Sequence, residues 1–452
     1  MRKRVPPGTL RTKKNKKMST ITINVFSAFA GFDTQFMALK RYEKVFNANK
    51  ANEVKIKFKL VGWCEIDPYA ISSHNKLFPK VKKLAVYDRK NNKMVGYHYP
   101  DITKIDWSLV PDFDIIIYSS CCQSITRAGA QRGMTEGSGT PSSLIWYIRD
   151  AIRIKKPKVC ILENVPALLE NKFASQFEKW TDTVEELGYR NTWSTLCAAN
   201  YGIPQNRNRV FLVSLREDLD KRVCFPTPIG CKVSAEQLLE NAVDEKYYFS
   251  QEETMKFLLD ILDKTPQTSI CPSITGMGRL VKKFITPSCQ GYPIHVSPTL
   301  VADKNYMKGN YKKMLSSTHF PRPGVLEVWK QSNTIKMSYT DVIRSASNNE
   351  ERKFNIMNAS MKDIINQIRN LEPNEYFRLR LMTPREWFRL MGVAENDIDT
   401  LCKSDIPDGQ LYKQAGNAIV VDVLFNLFGS LFDDISKWWW TTNESDKHLD
   451  EK

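Results

Sequence analysis

The chain has 452 residues, enough for two domains, and its 42% hydrophobic content allows a sizeable core. A formal net charge of +16 fits a polyanionic partner such as nucleic acid, because lysine and arginine displace counterions from phosphates; a merely basic surface has the same composition. Ten cysteines without a C-x-x-C pair and only five histidines argue against a structural zinc site, and no stretch reads as a secretory leader or a membrane span.

Residues 1–20 read as a disordered basic tail, with Met18 as an alternative start. Apolar, β-branched runs follow at Ile21–Phe29, Phe58–Cys64, Phe113–Tyr118, Lys158–Leu162 and Arg209–Leu215, and helical patterns at Ser143–Ile154 and Phe173–Leu187 lie among them. Strands alternating with helices predict an α/β fold with a mostly parallel sheet covered on both faces, whose ligands bind beyond the carboxyl ends of the strands. From 217 to 375 periodicity weakens among scattered Pro, Gly, Lys and aromatic residues, which predicts a second domain between the catalytic pieces 21–216 and 376–440. Gln410–Phe432 is expected to be a turn followed by an amphipathic helix, packed rather than membrane-spanning because Asp422 and Asn426 interrupt it; Trp438-Trp439-Trp440 is expected to pack on the domain. Free thiols and the missing leader predict a cytoplasmic protein.

Several strand ends carry polar residues. Phe29-Ala30-Gly31-Phe32-Asp33-Thr34 follows the first strand, where small residues let backbone approach a ligand. Glu65 and Asp67 follow the second, where an acidic residue can hold both hydroxyls of a ribose, and Asp101 could reach an adenine amino group. Phe113–Tyr118 empties into Ser119-Ser120-Cys121-Cys122-Gln123, a placement suited to a nucleophile, although free cysteine is also a common core residue. The next segment, Ser124–Gly139, has four glycines and reads as too polar for core and flexible enough for a lid. A further strand ends at Glu163-Asn164-Val165-Pro166, facing the same cleft as Cys122. Gln205, Arg207 and Arg209 alternate along an extended segment, so they are expected to point together, with the arginines able to clamp a phosphate or a carbonyl oxygen.

Together these segments resemble the DNA cytosine-5 methyltransferase family, through Phe29-Ala30-Gly31, Glu65, Asp101-Ile102, Cys122-Gln123, Glu163-Asn164-Val165, Gln205-x-Arg207-x-Arg209 and Gly416-Asn417 in that order. Leu381-Met382-Thr383-Pro384-Arg385-Glu386 resembles the segment preceding the last signature, and Thr299-Leu300 a weaker landmark between. The resemblance covers residues 21–216 and 376–432. Two departures stand out: Asp33 and Thr34 occupy positions where many members carry glycine, and Cys121 stands where the family has proline before the nucleophile.

The resemblance implies a Rossmann-like S-adenosylmethionine-dependent methyltransferase sheet with a second, smaller target-recognition domain at 217–375. It implies Cys122 as nucleophile, Glu163 and Arg209 on the flipped cytosine, and Arg207 supporting the loop or a phosphate. The cofactor would lie among Phe29, Ala30, Gly31, Glu65, Ile66, Asp101, Ile102, Leu144, Asn417 and Ala418, with S-adenosylhomocysteine as product. Gln123, Ser124, Gln131, Gly133 and Gln205 would form the DNA-facing catalytic loop. The implied partner is double-stranded DNA, with no membrane and no metal. A cognate restriction endonuclease, an orphan regulator and a phage-borne enzyme all fit, and a monomer is expected. Two alternatives remain at this stage: a tRNA cytosine-5 methyltransferase of the same fold, or a DNA-binding protein whose catalysis Cys121 has impaired.

Overall fold

The computed structural model describes residues 19–119, 124–125, 131–231, 233, 235–250, 297–298, 324–330 and 375–439. The central sheet takes its seven strands in chain order as β1 Thr20–Ala28, β2 Lys55–Cys64, β3 His98–Tyr99, β4 Ile115–Tyr118, β5 Val159–Asn164, β6 Tyr189–Cys197 and β7 Asn208–Arg216. Their spatial order is β3-β2-β1-β4-β5-β7-β6. Strands β1 to β5 pair in parallel, whereas β7 runs antiparallel to both β5 and β6. The order reverses beside β1, between β2 and β4, and such a switch point opens a crevice at the carboxyl ends of the strands.

Alternation along the strands sorts the core into two faces. Ile21, Ile23, Val25, Ile115, Ile117, Val159, Ile161, Phe211 and Val213 belong to one buried cluster. Phe26, Ala28, Ile116, Tyr118, Cys160, Leu162 and Leu212 belong to the other. Helices α1 (Thr34–Ala48) and α2 (Pro68–Leu77) lie on the first face, and α3 (Trp146–Lys155) and α4 (Ala174–Glu186) on the second. The doubly wound, Rossmann-like plan expected from the apolar runs is therefore present.

The C-terminal segment completes the first face with α5 (Pro384–Arg389), α6 (Glu395–Cys402), α7 (Asp408–Asn417) and α8 (Val421–Phe432). The turn expected at Gln410 is instead helix α7, and the chain breaks at Ala418–Val420 before α8. Val421, Val423, Leu424, Leu427, Phe428, Leu431 and Phe432 of α8 are buried, each such apolar side chain contributing about 1.5–3 kcal/mol. Tyr42 of α1 meets Phe425 and Phe432 of α8 and donates its hydroxyl to Asp433 at 2.7 Å. This apolar stretch is a core helix: its Arg41–Asp422 ion pair spans 3.0 Å to α1. Trp438 and Trp439 are buried, with Trp438 stacked on Phe432, while Trp440 lies outside the described residues.

Residues 217–231 and 235–250 lean on this body, with Leu219 in the first core cluster and Leu238, Leu239 and Tyr247 packed against it; most of the expected second domain at 217–375, Thr299-Leu300 included, lies outside the described residues. Strand β8 (Gly324–Lys330) pairs antiparallel with β9 (Glu375–Leu381), which leads into α5. At that entry Arg380 and Glu386, both fully buried, form a bidentate pair at 2.9 Å on each arm. Thr383 and Glu386 add a reciprocal capping box at the start of α5, and the Glu240 backbone N–H donates to Glu386 at 2.9 Å. Removing one charge of a buried pair leaves the other desolvated. Glu386→Gln should therefore lower unfolding free energy by about 3 kcal/mol, measured as a shift of the urea midpoint; an unchanged midpoint would mean that Arg380 does not depend on this carboxylate.

Candidate active site at the carboxyl edge of the sheet

The turn after β1 is built on unusual backbone. Phe29, Gly31 and Asp33 all have positive φ, at 54°, 58° and 70°. A Cβ at Gly31 would have no heavy atom within 4 Å, so this position faces open space that a ligand could enter. Ala30 donates its N–H to the Cys64 carbonyl at 2.9 Å and is itself buried. The Gly31 N–H donates to Glu65 Oε2 at 2.9 Å, while Glu65 Oε1 accepts from the N–H groups of Ile66 and Asp67, both at 2.8 Å. The Glu65 carboxylate thus bridges the turns after β1 and β2. Ile66 beside it is a large apolar side chain left 72% exposed.

The other acidic candidates are used locally. Asp67 caps α2, with Pro68 in the first turn, and pairs with Lys413 of α7. Burial opposes its charge, but the Lys413 pairing and the Ala70 and Tyr69 N–H groups hold the carboxyl below its ordinary range. Asp101 caps a short 3₁₀ turn, and its carboxyl is held low chiefly by the Thr103 hydroxyl, at 2.7 Å, and the Thr103 N–H. Ile102 is a core residue, and Leu144 packs partly buried against the second cluster. His98 Nε2 lies 3.0 Å from the Glu65 carbonyl; a carbonyl only accepts, so that nitrogen carries the proton. Burial pushes the His98 imidazole below its usual range, consistent with a neutral ring.

Glu163, next to last in β5, is almost completely buried. Its Oε2 accepts from the Ser119 hydroxyl at 2.7 Å, just beyond β4, and its Oε1 lies 3.1 Å from Arg209 Nε on β7. Arg209 also donates from Nη1 to the Asn208 carbonyl. Asn164 orders the following turn by accepting the Val165 N–H at 2.8 Å. Cys121, Cys122 and Gln123 lie outside the described residues. The six cysteines that are described are all free, and burial pushes the thiols of Cys64 and Cys160 well up and that of Cys402 to about 11. Those three are poorer nucleophiles than an ordinary cysteine.

Gln205, Arg207 and Arg209 do not share one cleft-facing surface. The Arg207 N–H donates to the Gln205 carbonyl and the Gln205 N–H to the Ile203 carbonyl, both two residues back, at 2.9 and 2.7 Å. Such tight turns break the extended backbone on which alternation depends. Gln205 is buried and donates to the Leu390 carbonyl at 2.6 Å. Arg207 is buried and grips the Gly416 and Ala418 carbonyls at 3.0 and 2.8 Å, holding the break between α7 and α8. Arg209 alone of the three meets Glu163. Asn417 at this break is exposed, and Ala418 is half-buried.

The described parts of the expected lid are anchored. Ile125 and Met134 are fully buried, against the expectation that the segment is too polar for core. Ser124 is buried and accepts the Gly133 N–H at 2.8 Å, and the Trp146 indole donates to the Met134 carbonyl at 2.8 Å. Gly133 has φ 78°, and a Cβ there would sit 2.5 Å from Gln176 of α4. Gln131, also at positive φ, accepts from Lys172 at 3.1 Å. Sequence reasoning missed Ser119, His98 and Lys413; of the caps, Asp67-Pro68 was legible as a helix-start signature.

A family model for C-5 cytosine-specific DNA methylases matches residues 21–433. The chain belongs to this family. It is 28% identical to the type II methyltransferase M2.ScrFI of Lactococcus lactis subsp. cremoris, over 91% of this chain and 99% of that protein. It is 25% identical to the orphan methyltransferase M.SPRI of Bacillus phage SPR, over 90% of this chain and 97% of that one. Among solved structures, an Entamoeba histolytica methyltransferase superposes with a TM-score of 0.56 at 15% identity, covering 92% of this chain and 99% of that one. Spodoptera frugiperda DNMT2 superposes with a TM-score of 0.55 at 16% identity, covering 91% and 99%. The protein is a DNA cytosine-5 methyltransferase, and the Glu163–Arg209 cluster and the Gly31–Glu65 turn stand at the sheet edge where its fold places ligands.

Arg207 is thus distinguishable from Arg209 by its contacts. Both bonds leave one nitrogen, Nη2, and the shorter lysine stem would not carry its ammonium to the point between the two carbonyls. Arg207→Lys should lower unfolding free energy by about 1.5–3 kcal/mol, read from urea titration. A midpoint matching that of the parent protein would show that the α7–α8 break is held by something else.

Proposed function

We propose that this methyltransferase moves a methyl group from S-adenosylmethionine to C5 of a cytosine flipped out of a short specific sequence in duplex DNA, through a covalent bond from Cys122 Sγ to cytosine C6. The observation that carries this reading is the buried Glu163 held between Ser119 and Arg209, beside the point where β4 runs toward Cys122. Neither the tRNA-modifying alternative nor the impaired DNA-binding alternative is favoured by any contact described above.

The flip costs a few kcal/mol of stacking and pairing. A free thiol near pKa ~8.5 is only a few per cent ionised at pH 7, so the Cys122 proton must leave before or during attack. The thiolate pair then forms the S–C6 bond, and the C5=C6 π electrons move to C5. Glu163 retains lone pairs on both oxygens after serving Ser119 and Arg209, and can accept from the cytosine 4-amino group. Shared at N3, a proton on Glu163 offsets the charge that builds on the ring. Arg209 would hold the O2 carbonyl. After C5 gains the methyl group, loss of the C5 proton returns its electron pair to the ring and expels the Cys122 thiolate.

S-adenosylmethionine, when bound, supplies a sulfonium-activated methyl group and leaves as S-adenosylhomocysteine. The open space at Gly31 and the apolar face of Ile66 suit it, and Glu65 keeps acceptor capacity for ribose hydroxyls. Phe29, Asp101 and Asn417 are proposed to flank it. A cytoplasmic setting keeps the thiols reduced. The likeness to a type II enzyme supports a cognate restriction endonuclease, that to a phage orphan enzyme an unpartnered role; we take the active unit to be a monomer.

Bisulfite sequencing of plasmid from a methylation-free host expressing the protein should show protected cytosines confined to one short motif. Cys121→Ala should preserve that protection and Cys122→Ala abolish it while DNA binding persists; the reverse pattern would assign the nucleophile to Cys121. Glu163→Gln should lower kcat by about 10²–10⁴. DNA affinity should fall with salt at a log–log slope of about −0.9 per phosphate contacted, and a flat response would rule out a phosphate-dominated interface.

A further inference from the structure

Asp33 occupies left-handed backbone, φ 70°, where glycine is the usual occupant, yet it is fully buried. Capping α1 does not require this: Asp67 caps α2 from φ −72°. Asp33 Oδ1 accepts from the Ser27 hydroxyl at 2.8 Å and the Phe36 N–H at 3.0 Å. Its Oδ2 faces His74 Nε2 at 3.4 Å, an ion-pair distance without hydrogen-bond geometry, and His74 is also fully buried. Among the described residues, neither His74 ring nitrogen has a hydrogen-bond partner.

The His74 ring is stacked on Trp63, centroids 3.6 Å apart, and the other neighbour stacked on Trp63 is His98, at 4.0 Å. His98 in turn meets the Glu65 carbonyl, and the Glu65 carboxylate meets the Gly31 N–H. The contacts run from Asp33 through His74, Trp63, His98 and Glu65 to Gly31, and the chain between Gly31 and Asp33 closes the circuit. It joins the turns after β1 and β2 from beneath. A buried polar pair with unfilled hydrogen-bonding capacity is a poor source of stability, and apolar groups of similar volume commonly serve as well or better. Its retention in a strained backbone calls for another role.

We propose that Asp33 and His74 are positioning residues for the methyl donor, their buried pair fixing the spacing of the two turns so that Gly31 and Glu65 meet the donor together. This rests on the donor site described under the proposed function. Neither residue touches donor or DNA; both act through Gly31 and Glu65.

The discriminating variant is the double substitution Asp33→Gly with His74→Phe in the full chain. Glycine relieves the positive φ and remains an adequate N-cap, and phenylalanine keeps a ring on Trp63. Thermal unfolding should stay cooperative, with the midpoint lowered only by the cost of the stranded Ser27 hydroxyl. Titration with S-adenosylmethionine should show Kd raised about tenfold, with KM for the donor raised in step and kcat at saturating donor changed less than twofold. Asp33→Asn, which tolerates the left-handed backbone, should weaken donor binding in the same direction. Parent-like donor affinity in the double variant would overturn the proposal. So would loss of its fold, which would make the pair a stabilising core contact instead. If the parent itself fails to bind S-adenosylmethionine, the donor-site reading fails first, and the comparison among variants is not what fails.

Discussion

The Glu163–Arg209 end of the site depends on the reversal of one strand. Because β7 runs against β5, its first residues lie beside the last residues of β5, and Phe211 pairs with Glu163. Arg209 consequently reaches a carboxylate that is 46 residues earlier in the chain by simple register. A parallel β7 would carry Arg209 to the opposite edge, roughly 20 Å away at about 3.3 Å per residue. The cation could then not hold Glu163, and a buried carboxylate would face the cleft with only the Ser119 hydroxyl to orient it.

A second dependence runs through the chain end. Gln205 and Arg207, next to that strand, bind main-chain carbonyls of Leu390, Gly416 and Ala418. The hairpin that delivers Arg209 is thereby tied to helices α5 to α8. Lys413 of α7 reaches Asp67 at the start of α2, so the same helices also brace the turn next to Glu65. The two halves of the site, one at β1 and β2 and the other at β5 and β7, share a common support drawn from residues far along the sequence.

How much was legible in the sequence follows from where each signal resides. Strands β4, β5 and β7 are buried on both faces in their central parts, and β1 and β2 alternate at first but are buried on both faces toward their carboxyl ends, so all five carry readable apolar runs. Strand β6 escaped because it is the edge strand and its exposed and buried positions are mixed, and β3 because it has two residues. Glu65, Glu163 and Gly31 could be placed because strand ends are where such sheets gather ligands. The joint orientation of Gln205, Arg207 and Arg209 could not, since periodicity says nothing of turns two residues long. The turn expected to open at Gln410 could not be told from helix α7, inside which Gly416 is buried. The Asp33–His74 contact joins two helices through tertiary packing, which no local pattern encodes.

The division of the first core face between the two ends of the chain has a consequence for synthesis. That face of the sheet is complete at Arg216, but α5 to α8, which cover it, end at Phe432. At about 5–20 residues per second, a ribosome takes roughly 10–40 s to make the stretch between. Throughout that interval the part of this face that α1 and α2 leave uncovered presents Ile, Val and Phe side chains to water. The protein therefore reaches its methyl-transferring state only after release of nearly the whole polypeptide, and its yield in the cell depends on what shields that face while translation continues.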